Sequence, residues 1–347
     1  MPSLAVKYRP TTFDDVLSQT YVKAILKRQL SEGKYSNAYL FCGPSGDGKT
    51  TLARIFSKSI NHGLGEPLEI DGASNNGVDN VRSLIEESKS RALDAEYKTI
   101  IIDECHQLTI QAWSAFLKCL EEPPKYTIFI FCTTDPQKIP ATILNRLMRF
   151  NLTKVGYDDI ANRLRYISKS EGFSNYDESC EYIAKLSNGG VRDAISMLEK
   201  CASYDVDLSL DKVLKVIGDF SYDMMFDLTN AVIDGNKNAI IDTLESCDRS
   251  GADMKLFVDR YMEFVLDLDK FCLFGDIAKT KLPSSLLMPS FEGDTRNVRY
   301  TTGIENASRI FSSLVVKVME LRYKLKYDDC KLLTTVASFV EMGSTSL

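Results

Sequence analysis

At 347 residues, with 44% hydrophobic and 26% charged residues, the chain has the composition of an ordinary globular protein with room for two or three domains. Its net charge of −6 excludes an overall basic field, so any contact with nucleic acid has to come from a local patch. Nine cysteines without a C-x-x-C pair, and only two histidines, His62 and His106, argue against a disulfide frame or zinc knuckle. They fit reduced thiols in a cytoplasm, each cysteine serving as a small core hydrophobe.

The first stretch, MPSLAVKYRPTTF, lacks the apolar core of a secretory signal, and the strongest apolar run, YTIFIFCTT, is strand-sized rather than membrane-spanning. Over the first 150 residues, β-rich runs alternate with helical patterns. NAYLFCG (37–43) reads as a buried strand and TTLARIFSKSI (50–60) as a helix. PLEIDGAS is a second strand, followed by the amphipathic VDNVRSLIEESKSRAL. KTIIIDE is a third, followed by IQAWSAFLKCLEE, which Pro123 and Pro124 stop; YTIFIFCTT is a fourth. Such alternation predicts βαβ units and a parallel sheet covered on both faces, and IIID and IFIF lack polar alternation, as central parallel strands do. After RFNL (149–152) the pattern is helical from 157 to 204, broken at EGFSNYD and SNGG. A further helical region runs from about Leu208, interrupted by the irregular stretch 281–303, and EMGSTSL at the end reads as frayed.

Between the first strand and its helix lies GPSGDGKT, comprising Gly43, Pro44, Ser45, Gly46, Asp47, Gly48, Lys49 and Thr50, a match to G-x-x-x-x-G-K-[ST] followed by Thr51. Glycines let backbone N–H groups turn inward around phosphate oxygens, and the following helix presents its positive end to the same anion. The motif predicts a site for a nucleoside triphosphate and Mg²⁺, with Lys49 reaching the β- and γ-phosphates and Thr50 on the metal. The third strand ends in Asp103 and Glu104. At the mouth of the sheet, Asp103 suits Mg²⁺ and Glu104 is placed to polarise a water for attack on the γ-phosphate. His106 beside them reads as a structural or coupling residue.

The motifs KYRPTTFDDVLSQ, GPSGDGKTTLARIFSK, EIDGASNNGVDNVRSL, IIIDECHQLTIQAWSAFLKCLEEPP, TTDPQKIPATILNR and GGVRDAISMLEK resemble, over about residues 4–200, the ATPase subunits of bacterial clamp loaders. This is the gamma/tau family of DNA polymerase III, within the AAA+ superfamily and more distantly related to replication factor C small subunits. The resemblance implies an α/β P-loop AAA+ domain (1–152), a small helical lid domain (153–207) and an all-α collar domain (208–347). It implies that Tyr8, Arg9 and Pro10, with Val16 nearby, fold over the adenine. It puts Thr134 at sensor 1, Arg192 at sensor 2, and Arg146 at the position of an arginine finger acting on ATP held by a neighbouring subunit. From the residue alone, Arg146 reads equally as a surface salt bridge. Arg82, with Ser74, Asn75 and Asn76 before it, falls where related loaders grip a DNA phosphate; the alternative is a solvated helix face.

The implied activity is ATP hydrolysis that opens a sliding clamp and places it on primer–template DNA, in a pentamer of like or different subunits in the cytoplasm of a bacterium or phage-infected bacterium, with no membrane partner. Rival readings are a branch-migration or initiator ATPase, or a structural delta-prime-like subunit. The chain departs from the family in lacking the four-cysteine insertion before the second strand, so no zinc is expected. It also carries Asn145-Arg146-Leu147 in place of Ser-Arg-Cys, Ser18 in place of a glycine, and no long C-terminal extension of the tau kind, and so resembles a streamlined, phage-like version.

Overall fold

Five short strands, β1 (Ala38–Cys42), β2 (Leu68–Asp71), β3 (Lys98–Asp103), β4 (Thr127–Thr133) and β5 (Met148–Asn151), pair in parallel in the order β2-β3-β4-β1-β5. The computed structural model describes residues 2–249, 251, 253–274, 280, 282, 304–326 and 330–344. The irregular stretch 281–303 lies outside the described residues apart from Leu282.

Successive side chains of a strand point to opposite faces, and here both faces are dry. Leu40, Ile100, Ile102, Phe129 and Phe131 pack against Val81 and Leu84 of one helix and Trp113 and Phe116 of another. Tyr39, Phe41, Ile101, Ile128 and Ile130 pack on the other side against Leu26, Leu52 and Phe56. The uninterrupted apolar runs of the three inner strands, β1, β3 and β4, follow directly from this double burial.

In chain order the helices are α1 (Leu4–Lys7), α2 (Thr20–Glu32), α3 (Lys49–Ile60), α4 (Val78–Ser88), α5 (Ile110–Glu121) and α6 (Ala141–Leu144). They continue with α7 (Tyr157–Glu171), α8 (Asp177–Leu186), α9 (Val191–Tyr204), α10 (Leu210–Ile217), α11 (Tyr222–Ile233), α12 (Lys237–Arg249) and α13 (Met254–Phe274). Two more described helices follow, α14 (Ile304–Leu325) and α15 (Lys331–Ser344). Thr109 caps α5 by accepting the Ala112 N–H, and Pro123 follows its end.

The strand–helix order matches the sequence pattern, and α7, α8 and α9 break where expected. Two expectations need correction. The run EMGSTSL is helical as far as Ser344, because α15 buries Phe339 and Met342. Cys330 is exposed rather than a core residue, whereas the other eight cysteines are buried. The fifth strand and α2 add to the reading: β5 buries only Phe150, and α2 only Val22 and Leu26, too sparse a stripe to stand out from a polar background.

The chain divides into two compact units, Met1–Glu171 with Ile183–Glu199, and Gly172–Tyr182 with Lys200–Leu347. The first holds the sheet. The second is helical around Phe257, Tyr261, Phe311, Leu314 and Phe339, with the Tyr261 and Thr229 hydroxyls 2.9 Å apart in its interior.

Phe116 is fully buried against Trp113, Phe129 and Phe131. Truncation to Ala is expected to cost about 3–5 kcal/mol, read as a lowered urea midpoint, because the ring leaves a cavity that a helix clamped on a sheet cannot close.

Candidate nucleotide-binding site

The loop between β1 and α3 wraps the end of a fully buried strand. Gly46 and Gly48 have φ of +81° and +88°, left-handed values that cost side-chain-bearing residues, and a Cβ on Gly46 would lie 3.2 Å from the Gly190 Cα. Lys49, only 6% exposed, opens α3 and donates to the Gly43 and Pro44 carbonyls at 2.9 and 2.6 Å. Its ammonium thus sits inside the turn of the loop.

The next residue makes the central contact. The Thr50 hydroxyl donates to Asp103 Oδ2 at 2.7 Å, joining the first turn of α3 to the carboxyl end of β3. Asp103 Oδ1 accepts the Glu104 backbone N–H at 2.9 Å. Glu104 takes a left-handed φ of 45°, which carries its side chain out of line with β3. Glu104 Oε2 accepts the Thr134 hydroxyl at 3.1 Å and lies 3.2 Å from His106 Nδ1, which is itself 3.2 Å from Thr133 Oγ1. Thr134, from the end of β4, and the largely buried His106 therefore hold the carboxylate from two sides.

These groups border a cavity of about 330 Å³. Its lining includes Tyr8, Arg9, Pro10 and Val16 from the N-terminal segment, Ser45 to Thr51 from the loop, Asp103, Glu104, and Arg192 from α9. Gly43 and Pro44 contribute as acceptors for Lys49. Of the expected site residues, Thr134 acts through Glu104, and Arg146 is not in the lining at all. Its guanidinium donates to the Thr142 carbonyl and to Glu121 Oε1, both at 2.6 Å, so within this chain it forms the salt bridge of the alternative reading.

Sequence reasoning missed three contributors. Arg54 and Glu69 form a two-pronged ion pair at 2.7 and 2.6 Å on the cavity wall. Arg54 falls one turn after Thr50, and that spacing is the signal that could have found it. Arg163 of α7 donates to the Tyr8 carbonyl at 2.8 Å and anchors the N-terminal segment. The third contributor is the state of Asp47. It is 3% exposed, and neither carboxylate oxygen has a hydrogen-bond partner among the described residues. Burial pushes its pKa up to about 6, against the pull of Lys49 and Lys154. Burial, and then the charges of Arg54 and Arg192, lower the Arg9 pKa from its ordinary value. That marks the cavity wall as crowded with guanidinium groups.

The Thr50 and Asp103 oxygens are hard donors placed side by side, which fits Mg²⁺. Among the described residues no group of three or more His, Cys, Asp or Glu side chains converges. Two protein ligands completed by phosphate and water are the Mg²⁺ pattern. The other candidate surface lies on and before α4. Arg82 there is exposed, with one weak i,i+3 partner, Asp79, at 3.3 Å. The Ser74 hydroxyl and the Asn75 amide both turn back onto Asp71, at 2.9 and 3.1 Å. Among the described residues no helix is long and apolar enough to cross a membrane.

A phosphate loop at the carboxyl end of a five-stranded parallel sheet, followed by helices, is the AAA+ architecture. Solved Thermotoga maritima RuvB, a Holliday junction branch migration motor, shares it at a TM-score of 0.52 and 18% identity, over 71% of this chain and 86% of that one. Residues 66–156 match the family described as DNA polymerase III, delta subunit. The chain is 35% identical over 283 residues to the DNA polymerase III subunit tau of Bacillus subtilis, covering 75% of this chain and 50% of that protein. It is 30% identical to the DNA polymerase III subunit gamma of Buchnera aphidicola, covering 76% of this chain and 78% of that one. The chain belongs to the gamma/tau family of DNA polymerase III subunits. It spans about half the length of the Bacillus relative, and 52% of the Escherichia coli tau subunit that it matches at 32% identity.

An acid whose pKa rises from 3.8 in the unfolded chain to about 6 in the folded one weakens the fold progressively between those values, and fully above them. Asp47→Asn is therefore expected to raise the unfolding free energy by about 1–3 kcal/mol at pH 8 and to leave it unchanged below pH 4, measured by denaturant titration at the two pH values.

Proposed function

We propose that the chain is an ATP-hydrolysing subunit of a clamp loader, which uses nucleotide binding and hydrolysis to open a sliding clamp and seat it on primer–template DNA. The observation that carries this reading is the Thr50–Asp103 contact, with Glu104 held beside it by Thr134 at the edge of the same cavity. A structural, non-hydrolysing subunit has no use for this arrangement. The greater likeness to gamma and tau subunits supports the loader reading over a branch-migration motor.

Loop N–H groups and the start of α3 cradle the phosphates, and Lys49 turns from the Gly43 and Pro44 carbonyls onto the β- and γ-phosphates. Thr50 and Asp103 hold Mg²⁺, which supplies charge neutralisation on the phosphate oxygens. Glu104, oriented by Thr134 and His106, aligns a water with the γ-phosphorus and draws on its proton. Arg192 meets the same phosphates from α9. Tyr8, Arg9, Pro10 and Val16 enclose the adenine, with Arg163 fixing their backbone.

Arg146 is assigned to ATP on a neighbouring subunit. A guanidinium keeps its charge at every accessible pH and spans the oxygens of a transferring phosphoryl group. This makes the monomer an incomplete enzyme and places nucleotide at the seams of a ring or spiral, in line with a pentameric assembly containing other loader subunits. Arg82, Ser74, Asn75 and Asn76 are assigned to DNA phosphate; the weak, exposed pair with Asp79 costs little to exchange. The proposed division is an ATPase domain at 1–152, a lid at 153–207 and a collar at 208–347, in a cytoplasmic protein.

Lys49→Ala is expected to abolish ATP binding in equilibrium titration; micromolar affinity in the variant would refute the site. Arg146→Ala is expected to spare ATP binding but to lower turnover about a thousandfold in the assembled complex with clamp and DNA. Unchanged turnover would return Arg146 to its salt bridge. Arg82→Ala is expected to flatten the salt dependence of DNA-stimulated hydrolysis by about one ion, and an unaltered slope would remove it from the DNA surface.

A further inference from the structure

We propose that Asp47 governs the nucleotide affinity of the loop by taking up a proton as the triphosphate binds. The inference rests on the reading of the loop as an ATP site.

Asp47 is a carboxylate inside a loop shaped for anions. It lines the same cavity as Lys49, Thr50 and Asp103, it is 3% exposed, and both oxygens are unpartnered among the described residues. Its Oδ2 lies 3.5 Å from where a Cβ on Gly43 would stand, which folds the carboxylate beneath the start of the loop. Two lysines act on its charge, one in the loop and one in the segment after β5. Lys49, in the loop itself, spends its ammonium on two carbonyls. Lys154, in the segment after β5, is exposed and donates to Asn188 at 3.2 Å. Asp193, at the start of α9, has its Oδ2 3.8 Å from where a Cβ on Gly46 would stand, and it is not among the charges that act on Asp47. None of them hydrogen-bonds the Asp47 carboxylate.

A buried charge in this state is held at a cost, and two events on binding raise it further. The triphosphate brings several negative charges to the loop, and Lys49 turns away to meet them. Protonation removes the conflict: one proton from solvent converts the carboxylate to a neutral carboxyl, and no other bond is made or broken. Burial has already lifted the group to about 6, so at pH 7 the free protein is mostly charged and binding has a proton to collect.

The consequence is an affinity that falls as pH rises from 6 to 8, by up to about tenfold per unit beyond the nucleotide's own titration. Asp47→Asn, neutral and of the same shape, is expected to abolish that added slope and to bind about tenfold more tightly at pH 8. The test is calorimetric titration of the full chain with magnesium adenylyl-imidodiphosphate at pH 7, in two buffers of different ionisation heat, followed by affinities at pH 6, 7 and 8. Uptake of a sizeable fraction of a proton by the wild type, lost in Asp47→Asn, supports the proposal. Equal proton stoichiometry in the two proteins overturns it. Should the variant fail to fold, wild-type binding with no proton uptake overturns it equally. Absence of nucleotide binding to the wild type instead removes the ATP-site reading, and this inference with it.

Discussion

One hydrogen bond organises the site: Thr50 on Asp103. It closes the distance between the first turn of α3 and the end of β3, strands β1 and β3 being separated in the sheet by β4. The contact is available only because all five strands run the same way, so that the loops after β1, β3 and β4 emerge together. The parallel sheet survives in turn because both its faces are apolar and covered. Trp113 and Phe116 on one side, and Phe56 and Leu52 on the other, therefore bear indirectly on whether two oxygens stand 2.7 Å apart.

The charge pattern follows the same geometry. A chain of net charge −6 gathers Arg9, Arg54 and Arg192 around one cavity and sets Asp103, Glu104 and Glu69 against them. Each of these acids has a partner: Thr50, Thr134 with His106, and Arg54. Asp47 is the exception, and its position beneath the loop makes it a brake on anion binding rather than a support. Real proteins break local rules of this kind at functional sites and compensate elsewhere.

Much of this was legible in the sequence. GPSGDGKT, IIIDE and the apolar runs gave the order of elements and placed Lys49, Thr50, Asp103 and Glu104 in one site, because loop, helix start and strand end are local features with strong chemical signatures. The breaks between α7, α8 and α9 were equally plain from their glycines and polar runs. The edge strand β5 was not legible. Strand β5 is four residues long with Arg149 exposed, and its strand character comes from pairing with β1 rather than from its composition. Partners far apart in sequence were hidden for the same reason. Nothing in the spacing of Arg54 and Glu69, of Arg163 and Tyr8, or of Glu121 and Arg146 announces that they meet. The burial of Asp47 is likewise a property of the walls around it.

Arg146 is held by two acceptors of its own chain, a helix carbonyl and the Glu121 carboxylate. A long side chain fixed in this way has surrendered most of its rotamer freedom when the chain folds. The direction in which its cation points is therefore set by Thr142 of α6 and Glu121 of α5. Any motion that tilts those two helices would swing the guanidinium with them.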